Sequence, residues 1–179
     1  WQNNSKSIAL SVWNVTPKDV MGYEKAVEWN GLIGAFGFIV TFSIAFYLAK
    51  LAKKHGAKMI HFACLLFGAI SFLWFPTVQN QYLFFAVIIG YGIAWASMMG
   101  IPYLMVVAVV PKERYGVYMG IINMMIVIPM IIQNLSFGYI LKNFLDYDPR
   151  QAISFAGVLL VLAAICTLLI KIKNIKLSE

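Results

Sequence analysis

Five runs of sequence, at about 30–49, 59–77, 82–110, 117–141 and 152–170, contain no Asp, Glu, Lys or Arg. Each is close to or above the roughly 20 residues that carry a helix across the hydrocarbon core of a bilayer. In lipid the backbone must satisfy its own hydrogen bonds, so a run of this kind folds as a helix and packs against others. The chain is 61% hydrophobic and 12% charged, against about 45–50% apolar and about 25% charged in ordinary soluble domains. A water-soluble core could not absorb that apolar surface. The sequence therefore predicts an all-α membrane protein of about five transmembrane helices.

The connections separate by charge. Lys50, Lys53, Lys54 and Lys58 lie between the first two runs; Lys112, Glu113 and Arg114 lie between the third and fourth; Lys171, Lys173, Lys176 and Glu179 close the chain. These segments hold nine basic and two acidic residues, whereas the remaining connections balance at five and five. Lys and Arg stay on the cytoplasmic side during insertion. The expected topology thus puts residues 171–179 inside as a tail and residue 1 outside. Residues 1–29 read as an outer loop or the end of a preceding helix. The chain opens on Trp1 with no initiating Met and has an odd number of spans, which leads us to expect a piece of a longer protein.

The basic residues are a topology signal divided among short loops, so no nucleic-acid partner is expected. Cys64 and Cys166 sit in different runs and define neither a disulfide framework nor a metal site. No paired carboxylates, His-Glu-x-x-His or Gly-x-Ser-x-Gly motif occurs in the spans. A membrane enzyme needs such groups at depth, where they are rare and visible. The expectation is no enzyme and no cofactor. His61, the one imidazole in a run, reads as an interfacial residue.

Small and polar residues mark where the runs do something other than face lipid. Gly92, Ala96 and Gly100 recur every four residues on the third run, and Gly116 and Gly120 repeat that spacing on the fourth. Such a stripe permits close helix contact, either static or in a rocking motion. Pro102 and Pro129 interrupt the third and fourth runs, where a helix would bend or break. Asn123 and Asn134 are eleven apart, about three turns, and share a face with each other. Ser97 lies beside Trp95, and Asn30 follows Glu28 and Trp29 at the mouth of the first run. Polar groups at depth need partners. They serve as glue between helices or as contacts for a hydroxyl-rich ligand, and spacing leaves both open. Trp95, Tyr91, Tyr103, Trp29 and Tyr118 offer faces for stacking on a sugar ring, Trp95 from the middle of its span.

The segments Gly92-Ile93-Ala94-Trp95-Ala96-Ser97, Ile101-Pro102-Tyr103, Pro111-Lys112-Glu113, Gly116-Val117-Tyr118-Met119-Gly120-Ile121-Ile122-Asn123 and Ile126-Val127-Ile128-Pro129 resemble the tenth and eleventh helices of the sucrose and maltose proton symporters of the major facilitator superfamily. Glu28-Trp29-Asn30-Gly31 looks like the family's start of helix eight, and Lys53-Lys54-His55-Gly56 falls at its basic eight-to-nine loop. Met130 stands where many bacterial members have Gln. The resemblance implies the C-terminal half of a twelve-helix bundle, with the N-terminal half of the same transporter as its partner beside the lipid bilayer. It implies proton-coupled uptake of a disaccharide by alternating access, in an inner or plasma membrane. Trp95 and Asn123 are then the expected substrate contacts, with Asn30, Ser97 and Asn134 as lesser ones. Gly92, Gly100, Pro102, Gly116, Gly120 and Pro129 would allow bending and sliding, and Glu28 is a candidate for gating or proton coupling. The principal proton acceptor would lie in the other half. The alternatives are a superfamily transporter of another solute (a glycoside, nucleoside or peptide) and a membrane sensor or scaffold that moves nothing.

Overall fold

A computed structural model describes residues 20–80, 82–146 and 148–170. Among these residues there are five long helices and no strand: α1 (Val20–His55), α2 (Ala57–Trp74), α3 (Leu83–Val109), α4 (Tyr115–Phe144) and α5 (Pro149–Leu169). All five are long and apolar enough to cross a membrane. The chain is a multi-pass membrane protein.

The helices overrun the charge-free runs. α1 begins by Val20, so the described part of 1–29 is helical and continuous with the first span; residues 1–19 and 171–179 lie outside the described residues. The reason is local. Glu24-Lys25-Ala26-Val27-Glu28 is made mostly of good helix formers, and its polar residues stay exposed while Ala26 is fully buried. α3 and α4 run without interruption through Pro102 and Pro129. Each proline removes one backbone hydrogen bond, and neither ends its helix.

The turns carry ordinary stop signals. α1 ends on Lys53, Lys54 and His55, and the two lysines place positive charge at the negative end of the helix dipole. Gly56 then takes φ 90° with its N–H on the Ala52 carbonyl at 3.0 Å. This left-handed turn favours glycine and joins α1 to α2. Between α2 and α3, a short 3-10 turn at Phe75–Thr77 precedes an Asn80 side chain that accepts from the Tyr82 N–H at 2.9 Å. Asp148 caps α5, accepting from the Arg150 N–H at 2.9 Å, and Pro149 occupies the first turn. The Arg150 guanidinium reaches across to the Pro76 carbonyl at 3.1 Å. At the other end of α5, Lys58 Nζ donates to the Leu168 and Ile170 carbonyls at 2.7 and 2.8 Å.

Helices α1, α2, α3 and α5 pack as a four-helix core in which α2 lies between α3 and α5, and α3 between α1 and α2. Lipid tails are as apolar as Leu, so this packing rests on close van der Waals fit and a few hydrogen bonds. Small residues make the fit. A methyl group at Gly37 would fall 2.8 Å from Ile88 Cγ1, and one at Gly92 would fall 3.0 Å from the Gly37 carbonyl. These two glycines bring α1 against α3. Gly90 faces Ser71, and Gly68 faces Ala94, so closely that neither α2–α3 crossing has room for a further carbon. Thr41 Oγ1 donates to the Gly37 carbonyl at 2.9 Å and lies 3.2 Å from the Gly92 carbonyl. By contrast α4 contains no buried residue and rests mainly against α3.

Candidate substrate-facing surface

The expected substrate contacts fall into two environments. Trp95 is 36% exposed. Its ring stacks on Tyr91, one turn earlier on α3, at 5.8 Å and 22° between planes. Tyr91 in turn stacks on Phe72 of α2 at 5.7 Å and 12°. The three rings form a ladder from the α2–α3 interface to the open side of α3. An indole held from behind in this way presents a flat surface that is fixed before any ligand arrives.

Ser97 is only two residues further on and is 0% exposed. Its hydroxyl lies 2.8 Å from His61 Nδ1 and is hydrogen-bonded to the Cys64 side chain as well. The group is enclosed between α2 and α3 and serves as a tie between them. Two residues turn a helix by about 200°, which is why Trp95 faces open space while Ser97 faces the α2–α3 interface. His61 changes its reading too. It is a partner of Ser97 rather than a solvated interfacial side chain.

Asn123 is exposed on α4 and accepts a short hydrogen bond from the Tyr103 hydroxyl of α3. This contact ties the halves of α3 and α4 that adjoin their connection. Asn134, on the same face of α4, is exposed, and Asn30 is half-buried near the start of α1; both are engaged in interactions. Glu28 is exposed on the same end of α1, next to Trp29, whose ring meets Tyr82 edge-on at 5.7 Å and Phe85 at 6.4 Å.

The glycine stripes also divide. Gly92 sits in a tight helix crossing, but Gly100, Gly116 and Gly120 have open space where a side chain would go. The expected close contact through Gly100, Gly116 and Gly120 is not made among the described residues. The seam runs instead through Gly37, Gly68 and Gly90, which a search for four-residue spacing passes over because each pairs with a glycine, serine or alanine of another helix.

One cavity of about 130 Å³ was not visible in the sequence. It opens between the four-helix core and α4, walled by Phe72, Phe75, Phe84 and Tyr91 on one side and by Gln133 and Phe137 of α4 on the other. Among the described residues no three His, Cys, Asp or Glu side chains form a cluster able to hold a metal ion.

A long apolar helical bundle with small-residue crossings and an open polar-dotted face is shared by many transporters, and sequence comparison decides among them. The Major Facilitator Superfamily model matches residues 7–134. The chain belongs to the Major Facilitator Superfamily. Members of that superfamily are transporters. No curated protein and no solved structure matches the chain significantly.

Proposed function

We propose that the chain is part of a proton-coupled importer of a disaccharide of the maltose or sucrose class, working by alternating access. The observation that carries this reading is Trp95: a half-exposed indole, backed by Tyr91 and Phe72, within a span that holds no charged residue. A sugar ring has an apolar face that stacks on such a surface and hydroxyls that seek neutral hydrogen-bonding groups. Asn123 supplies an exposed amide on α4, with one of its lone pairs engaged by Tyr103 and its NH2 left to donate. Asn134 and Asn30 are secondary contacts in this reading.

The bundle is read as the C-terminal half of the transporter, with its C-terminus in the cytoplasm, because its Lys and Arg excess lies there. The central site then lies between this half and an N-terminal one. Bending at Pro102 and Pro129 and sliding past the open positions Gly100, Gly116 and Gly120 would let α3 and α4 change their tilt, while Gly92 holds α3 to α1. Glu28, exposed near the start of α1, is proposed as an outer gating carboxylate, with the main proton acceptor in the other half. Competition tests the substrate class: unlabelled disaccharides should block uptake of labelled maltose or sucrose, whereas nucleosides and peptides should not. Block by a nucleoside or peptide alone would replace this reading with that of a superfamily transporter for that solute.

A further inference from the structure

One exposed face of α1 is banded along its length. Ile39, Phe42 and Phe46 are exposed apolar residues, and the two phenyl rings meet edge to edge with centroids 5.4 Å apart. Lys50 and Lys53, also exposed, continue the same line toward the end of the helix. At about 100° per residue these positions fall within an arc of about 80°. The positions that hold α1 to the core lie on the opposite side: Gly37 and Thr41, which meet α3, and the buried Leu48 and Ala52.

Charge and length together select the occupant. Among the described residues Lys50, Lys53 and Lys54 have no ion pair or hydrogen bond, and α2 and α3, the helices packed on α1, carry no carboxylate. Lys58 is already committed to the Leu168 and Ile170 carbonyls. From Ile39 to Lys50 the helix rises about 16.5 Å, against about 15 Å for the hydrocarbon of one leaflet. A free phosphate would use the lysines and leave the aromatic band bare. A zwitterionic phospholipid would cover the band and leave the cations uncompensated. A phospholipid of net negative charge meets both, with an acyl chain along Ile39, Phe42 and Phe46 and its phosphate at Lys50 and Lys53, whose long stems reach headgroup level.

We propose that this face of α1 is a binding site for an anionic phospholipid of the phosphatidylglycerol class. The site rests on the placement of α1 in a membrane and does not depend on which solute is carried. Lys54, further round the last turn, lies within reach of the same headgroup.

The test is native mass spectrometry of the full-length protein released from nanodiscs made of equal parts phosphatidylglycerol and phosphatidylcholine. The protein should retain phosphatidylglycerol in preference. Lys50→Gln and Lys53→Gln are made singly, so that eight of the nine basic residues on that side remain to hold the topology. Each should lower the preference by up to about fivefold. Lys50→Arg and Lys53→Arg should keep it, and Lys142→Gln, the same loss of charge in the last turn of α4, should leave it unchanged. No preference for phosphatidylglycerol, or an equal loss from Lys142→Gln or from the Arg variants, would overturn the site. A preference untouched by both Gln variants would mean that another part of the transporter covers this face, and would overturn it as well. Displacement of the bound lipid by inorganic phosphate would show that the headgroup alone is held, and would overturn the assignment of a lipid.

Discussion

Replacing Gly90 by Ala tests the packing on which the core depends. A methyl group at Gly90 overlaps Ser71 Oγ outright, falls 2.7 Å from Ser71 Cβ and lies 3.0 Å from the Phe67 carbonyl. The hydroxyl can rotate away, but the Ser71 Cβ and the Phe67 backbone cannot. The helices must therefore separate by several tenths of an ångström along a crossing that also holds Gly68 against Ala94. Overpacking of this kind costs about 1–3 kcal/mol. The geometry makes a graded rescue: Ser71→Ala removes only the oxygen and should recover little, because its Cβ stays in the way. Ser71→Gly removes both atoms and should recover most of the loss, less about 1 kcal/mol for a second glycine in a helix. Unfolding of the purified protein in mixed micelles, followed by circular dichroism against added SDS, measures each step. If Gly90→Ala is neutral, or if Ser71→Ala and Ser71→Gly rescue equally, α2 and α3 do not meet at this crossing.

Three further outcomes are expected. Gly56→Ala places a side chain at φ 90° and should destabilise the α1–α2 turn by about 1–3 kcal/mol in the same unfolding assay. Ser97→Ala and His61→Phe should each lower stability but combine non-additively. Their coupling in a double-mutant cycle should be near the roughly 0.6 kcal/mol average of interhelical hydrogen bonds in membranes, and below about 1.7; additive losses would remove the His61–Ser97 tie. Asn123→Leu and Trp95→Leu should each reduce sugar uptake at unchanged membrane abundance, whereas Tyr103→Phe should have a smaller effect because it frees the Asn123 carbonyl without removing the amide. Unchanged uptake in both Leu variants would take that face out of the substrate path.

Much of the architecture was legible because charge in a bilayer is so costly that its absence marks a span and its presence marks a connection. Residues Glu24 to Glu28 escaped that logic, since a helix that leaves the membrane need not stop. The prolines do not end their helices: α3 and α4 run on through Pro102 and Pro129. Side-chain direction was the least legible layer. α3 is apolar on every side, so its sequence carries no amphipathic stripe to say which face meets α2 and which stays open. Trp95 and Ser97 look equivalent as sequence, yet one is half-exposed and the other fully enclosed. The partners that decide this, His61 for Ser97 and Phe72 for Tyr91, lie on another helix. The cavity needed even more distant information, since its lining draws on all five helices.

The measurement closest to the central claim is uptake of labelled maltose and sucrose by cells that express the full-length protein and lack other carriers, with and without a protonophore. Saturable uptake of either sugar that collapses with the proton gradient is the predicted result. With correct membrane insertion confirmed, no uptake of either sugar would contradict the disaccharide assignment, and uptake that survives the protonophore would contradict proton coupling.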